Sequence, residues 1–252
     1  MEELKKTASP TSGILDWRYA DVGFMEEMPV EAIEKLASIL RAISVSGPQV
    51  IDGYRYWVDS DRQLLRREKD YSEYDSIADT YQGLFNDVAS LKENKEITDF
   101  LKANFSGSVY EIGCGSGLLL DYCNIPTNAY LGIDPSSKML GYFKQKHPHH
   151  QVKILPFEID GDVFQEYDNV VALFGAASYL PKRALARLST YRGGVFMMFY
   201  KDTYEPVTYQ LTKTTLHHHK YSKAELEAIF PQCSVSPVLN YFVVSSKPTT
   251  RL

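Results

Sequence analysis

Beyond residue 108 the apolar positions of the chain fall into short runs rather than amphipathic stripes. Runs at 108–112, 129–133, 152–155, 169–174 and 194–200 are rich in Val, Ile, Phe and Tyr. Helix-length segments around 118–123, 138–146 and 182–190 separate the first three and the last two. Strands without polar alternation are those covered on both faces, so the pattern predicts a parallel sheet with helices on each side. Ser222 and Glu225 form a capping box that opens a helix through Ile229 and Phe230. Two further runs follow, at 234–239 and 241–245, with centres about six residues apart. That is too close for a crossover helix, so these strands should be antiparallel neighbours. The sheet expected is thus doubly wound, α/β, seven-stranded and mostly parallel, with an antiparallel last strand.

Upstream, Ile77, Tyr81, Leu84, Val88, Leu91, Ile97 and Leu101 keep helical spacing over 74–105, in two pieces broken near 83–86. Before residue 71 the texture changes to irregular aromatic and charged sequence. Ile33, Leu36, Leu40 and Ile43 follow Pro29 at helical spacing, so residues 1–70 are expected to be a mostly helical N-terminal extension. The stretch DGYRYWVDSDRQLLRRE stays unassigned. Residues 71–252 then form the main domain.

The 252 residues are 44% hydrophobic, enough for a full core, and 27 Lys and Arg against 32 Asp and Glu leave a net charge of −5. A chain living on phosphate contacts would be basic, so no nucleic-acid partner is expected. Cys114, Cys123 and Cys233 make an odd count with no C-x-x-C pair, which points to a reducing, cytoplasmic compartment. The start MEELKKTASP has no apolar leader, and no run nears the roughly 20 apolar residues of a membrane span, so no membrane partner is expected.

The sharpest chemical signal is the segment Val109 to Leu120, which reads VYEIGCGSGLLL: a strand entering a glycine turn that opens a helix. Glycines there allow positive φ and a close ligand approach. A dinucleotide fingerprint would need its third glycine at 118, which is Leu118; the glycines stand at 113, 115 and 117 instead. The next strand ends at Asp134, 21 residues after Gly113, where an α/β nucleoside site wants an acceptor for two ribose hydroxyls. Asp134 followed by Pro135, Ser136 and Ser137 is also good helix-capping chemistry, and the two roles are compatible.

These features resemble the class I S-adenosylmethionine-dependent methyltransferases, over about residues 74 to 245. The carriers are EIGCGSG, LGIDPSSKML, DNVVALFGAASYL and the antiparallel ending. YDSIADTYQGLF resembles the helix before the core in small-molecule members, where a tyrosine covers the cofactor. The resemblance implies S-adenosylmethionine as cofactor, with Glu111, Gly113, Cys114, Gly115 and Gly117 in the loop at its methionine end. Asp134 would hold the ribose hydroxyls, and Pro135 and Met139 would lie near the adenine. The chain departs from the family after the third strand, where Phe157 and Glu158 would stand against the adenine.

Tyr74 and Tyr81, seven apart, share a helix face and serve either the cofactor or the core. Phe174 to Tyr179 lie at the carboxyl end of a parallel strand, on the side where such sheets hold ligands, or else provide close helix packing. Cys114 reads as a small residue in a crowded loop rather than a nucleophile. His217, His218 and His219 suit a solvated loop or a general base better than a metal site, and no metal is expected. His147, His149 and His150 sit at a helix end. The expected function is methyl transfer to an oxygen or nitrogen of a small-molecule acceptor, with Tyr179 and His219 as catalytic candidates. A methyltransferase acting on protein or RNA, and a non-catalytic cofactor-binding interaction protein, are the alternatives. The extension, with Trp17, Tyr19, Phe24, Tyr54, Tyr56 and Trp57, is either a lid on the acceptor pocket or a structural cap or homodimer contact.

Overall fold

A computed structural model of the chain describes residues 14–15, 38–39, 41–46, 49–51, 54–59, 64–69, 72–81, 83, 88–104, 106–155, 157, 161–204, 208–209, 214–216, 218–238 and 240–246. It divides into two compact units, Met1–Tyr71 and Ser72–Leu252.

In the first unit β1 (Ile14–Leu15), β2 (Gln49–Ile51), β3 (Tyr54–Asp59) and β4 (Leu64–Lys69) form a sheet in the order β1-β4-β3-β2. The sequence led us to expect a mostly helical extension. Residues 38–39 and 41–46 are helical, ending three residues beyond the predicted 43, but strands dominate the described residues of this unit. Tyr, Val and Trp favour a strand over 54–59. Its alternation is hidden because Trp57 puts a large apolar residue among Arg55 and Asp59. β3 and β4 pair antiparallel, Tyr54 with Lys69 and Asp59 with Leu64. Tyr54, Tyr56 and Trp57 lie on β3, whereas Trp17, Tyr19 and Phe24 lie outside the described residues.

The second unit opens with α1 (Ser72–Tyr81) and α2 (Val88–Asn104), separated as the sequence predicts. Its strands are β5 (Val109–Ile112), β6 (Tyr130–Asp134), β7 (Gln151–Ile154), β8 (Asn169–Ala172), β9 (Gly194–Tyr200), β12 (Cys233–Val238) and β13 (Tyr241–Ser246). They form one sheet in the order β12-β13-β9-β8-β5-β6-β7, in which β13 runs against both of its neighbours. The crossover segments contain α3 (Leu118–Tyr122), α4 (Ser137–Lys146), α5 (Lys182–Ser189) and α6 (Lys223–Ile229). A small antiparallel pair, β10 (Thr208–Tyr209) and β11 (Thr214–Thr215), lies between β9 and α6, where the sequence reading placed nothing.

Alternation along each strand loads both faces. Val195, Met197 and Phe199 of β9 join Leu185, Leu188, Leu226 and Phe230 in one core, while Phe196 and Met198 join Ile97, Leu101, Leu119 and Phe143 in the other. A strand buried on both sides needs apolar residues at both parities, which is why β9 reads GVFMMFY. Helix starts are fixed locally. Ser136 caps α4 by accepting the Met139 N–H at 3.1 Å, and the Ser222–Glu225 capping box of α6 is present. Among the described residues no helix is long and apolar enough to cross a membrane.

Candidate active site

The carboxyl ends of β5, β6, β8 and β9 share one edge of the sheet, and two groups of residues gather there. The first is built largely from backbone. Gly113, Gly115 and Gly117 all have positive φ (69°, 51° and 88°), which reverses the chain between β5 and α3. Gly113 and Cys114 both donate their N–H to the Ile133 carbonyl, at 2.8 and 3.1 Å, tying the turn to β6. A Cβ on Gly113 would stand 2.8 Å from the Ala176 Cβ, so the turn closes directly against the segment that follows β8.

Asp134 ends β6 facing this turn. Its Oδ2 accepts the Gly115 N–H at 2.9 Å and its Oδ1 accepts the Ser136 N–H at 2.8 Å. Burial pushes its carboxyl up to about 6, against the pull of the two N–H donors, and the charge on Asp75 adds to the rise. A carboxylate offers about four lone-pair positions, and backbone donors occupy two of these, so the remaining acceptor capacity matches a vicinal pair of hydroxyls. Pro135 is half-buried, and Met139 is buried with its Cε against Gly115. Helix capping falls to Ser136, so Asp134 is not the N-cap of α4.

Several predicted loop residues instead serve the interior. The Glu111 carboxylate accepts a hydrogen bond from the Tyr130 hydroxyl and is 3% exposed; burial raises it to about 8. The Cys114 side chain lies in the same cluster, in the space that Gly132 leaves by lacking a Cβ, and burial pushes its thiol well up. Both side chains therefore stand in the interior beside Tyr130, while the Cys114 backbone shapes the loop. Gly117 makes room for Phe143 and His147 of the α4 region, which a Cβ would meet at 2.9 and 2.6 Å, so its requirement is helix packing. Phe157 is 2% exposed, packed on Tyr110 and Phe164, with the Arg187 guanidinium 4.8 Å above its ring. Glu158 lies outside the described residues.

The second group is built from side chains. Phe174, just past β8, has φ 50°, a left-handed conformation unusual for a bulky residue, and Gly175 follows with φ 84°. The pair turns the chain sharply into a short 3₁₀ turn, Ala176–Tyr179. Tyr200, at the end of β9, lies flat on Gly175, where a Cβ would come within 2.3 Å of its ring, and donates its hydroxyl to the Phe174 carbonyl at 3.3 Å. Tyr200 stacks on Tyr204 at 4.4 Å and on Tyr241 at 5.3 Å. Tyr74 packs edge-on against Tyr81 at 6.0 Å and Tyr179 at 5.6 Å, so both α1 tyrosines stand in this group. Burial, then the neighbouring phenols, push the Tyr74 and Tyr200 hydroxyls well up. These two stay protonated at neutral pH and act as hydrogen-bonding groups rather than bases.

The structure distinguishes the two described histidines of the 217–219 run. The His218 ring lies 4.9 Å from Tyr200, 5.8 Å from Tyr204 and 6.4 Å from Tyr179. His219, the residue singled out from sequence, packs its ring on Tyr221 at 6.1 Å and donates its backbone N–H to the Ser178 carbonyl at 2.7 Å. It fastens this segment to the turn after β8 and leaves His218 as the imidazole in the tyrosine group. His217 lies outside the described residues. Tyr200, Tyr204 and Tyr241 were missed, and within the histidine run His219 was chosen over His218; position at the carboxyl end of a parallel strand was a signal that could have found Tyr200.

Residues 110–192 match the methyltransferase domain family. A putative methyltransferase, 235L of Invertebrate iridescent virus 6, is 29% identical over 83 residues, which is 32% of this chain and 31% of that protein. Among solved structures, DesVI of Streptomyces venezuelae superposes with a TM-score of 0.51 at 17% identity, covering 71% of this chain and 99% of that one. A complex of DhpI with S-adenosylhomocysteine gives 0.52 at 19% identity, covering 71% and 95%. An S-adenosylmethionine-dependent methyltransferase of Clostridium acetobutylicum gives 0.50 at 12% identity, covering 69% and 99%. The sheet order and its reversed β13 agree with these likenesses in fold. Residues 110–192 thus match a methyltransferase domain, and the second unit shares its fold with solved S-adenosylmethionine-dependent methyltransferases.

Proposed function

We propose that the second unit transfers the methyl group of S-adenosylmethionine to an oxygen or nitrogen of a small-molecule acceptor. The observation that carries this reading is the meeting of a backbone-held carboxylate and a tyrosine–histidine group on one sheet edge. Gly113 and Gly115 would cradle the cofactor, Asp134 would hold its ribose hydroxyls, and Pro135 and Met139 would flank its adenine. The cofactor supplies an already electrophilic methyl group, so the chain must chiefly align the acceptor atom and keep water out. Tyr179, Tyr74 and Tyr200 orient the acceptor by hydrogen bonds and ring contacts. For an acceptor that arrives protonated, the His218 imidazole takes the proton.

The same reading makes this a small-molecule enzyme of the cytoplasm without nucleic-acid partners, in keeping with the net charge of −5. Incubating the protein with methyl-labelled cofactor and, separately, a metabolite extract and a protein extract tests it. Label should appear in the metabolite fraction. Label confined to the protein fraction would assign a macromolecular acceptor, and none in either would leave a cofactor-binding protein without turnover.

A further inference from the structure

α1 presents two functional faces. Tyr74 and Tyr81 enter the tyrosine group, while Asp75 and Asp79, one turn apart, meet α4. Asp75 Oδ1 accepts the Ser136 hydroxyl at 2.7 Å and the Lys138 N–H at 3.1 Å. Ser136 is fully buried, and it also caps α4 and donates its N–H to Asp134. Hydrogen bonds therefore run without a gap from Asp75 through Ser136 and Asp134 to Gly115. Asp79 accepts only a hydroxyl from Tyr142, on the exposed side of the helix pair.

We infer that Asp75 is a positioning residue, which fastens α1 to the turn after β6 and thereby links the carboxylate that would hold the ribose to the tyrosine group. The inference rests on the proposed cofactor site. Two consequences follow from the geometry. Without its acceptor at Asp75, the Ser136 hydroxyl is free to turn, and both the Asp134 contact and the first turn of α4 loosen. The negative charge on the half-buried Asp75 also makes the buried Asp134 harder to ionise, and removing that charge eases ionisation. The other groups acting electrostatically with Asp134 are Glu111 of β5 and the Cys114 thiol of the glycine turn, and the Lys138 N–H on α4 meets Asp75; Asp75→Asn leaves all of these in place.

The test measures S-adenosylhomocysteine affinity by calorimetry between pH 5 and 8, with the tyrosine near-UV circular dichroism followed on titration. In the wild type, S-adenosylhomocysteine should bind and change the tyrosine signal. Asp75→Ala should weaken binding roughly tenfold and abolish that change at saturation. Asp75→Asn, which keeps an oxygen acceptor and the fold, should move the acid limb of binding to lower pH. Asp79→Asn should leave affinity and limb alone. Wild-type affinity in Asp75→Ala, an unmoved limb in Asp75→Asn or a silent tyrosine signal in the wild type would overturn the inference. If Asp75→Ala does not fold, the limb in Asp75→Asn decides. Failure of the wild type to bind S-adenosylhomocysteine is a separate outcome, and it removes the proposed cofactor site itself.

Discussion

The two halves of the candidate site are made differently. The half around Gly113, Gly115 and Asp134 consists of backbone N–H groups, positive-φ glycines and one carboxylate, all within a stretch of 24 residues from Gly113 to Ser136. The half around Tyr200 is made of side chains from α1, the turn after β8, the end of β9, the segment at His218 and β13. A backbone-built site constrains residue type at fixed spacing and so can be read from one sequence. A site assembled across five segments constrains only where they meet, and each tyrosine alone looks like core.

That difference explains what was legible. The glycine turn, Asp134, all seven sheet strands, the helix break after Tyr81 and the α6 capping box could be placed from periodicity and local capping chemistry. The loop side chains could not, because Glu111 and Cys114 are drawn inward by Tyr130 and by the missing Cβ of Gly132, a partnership between neighbouring strands. The choice between His218 and His219 depends on which ring the fastening at Ser178 leaves in the tyrosine group, and spacing carries no trace of it. In the N-terminal unit, the residues of β3 and β4 are large on both parities, so a hairpin hid within what looked like irregular sequence.

The comparison is broken most sharply at the histidines. His218→Gln should lower turnover about 10²- to 10⁴-fold while leaving S-adenosylhomocysteine affinity within about twofold, whereas His219→Gln should stay near wild-type turnover. Steady-state rates and calorimetry on the two variants check this, and equal losses in both would erase the distinction. Gly113→Ala attacks the backbone-built half. An L side chain at φ 69° and 2.8 Å from the Ala176 Cβ should cost about 2–5 kcal/mol of fold stability, read by denaturant unfolding.

A milder contrast comes from pH. The Asp134 carboxyl stands at about 6 because it is buried, and hydroxyl donors favour its ionised form. Cofactor affinity should therefore be full above about pH 7 and fall about tenfold per unit once the pH drops below 6, since binding must then expel a proton. Flat affinity from pH 7 to 5 would show that Asp134 takes no part. The smallest effect is expected on the side-chain-built half. Tyr200→Phe removes one hydroxyl bonded to the Phe174 carbonyl at 3.3 Å, and should cost about 0.5–1.5 kcal/mol of stability with cofactor affinity unchanged.

Asp134→Asn tests the central claim most directly. Asparagine keeps the shape and removes a buried charge, but its NH2 must face either the Gly115 or the Ser136 N–H, so the variant should lose about 1–3 kcal/mol of stability and still fold. It also takes the charge away from the hydrogen bonds offered to the ribose hydroxyls, a loss of about 2–4 kcal/mol, or roughly 30- to 1000-fold in S-adenosylhomocysteine affinity. Calorimetric titration, at a temperature where the variant is fully folded, should show that loss in affinity. Wild-type affinity in a folded Asp134→Asn protein would contradict the assignment of this carboxylate to the cofactor.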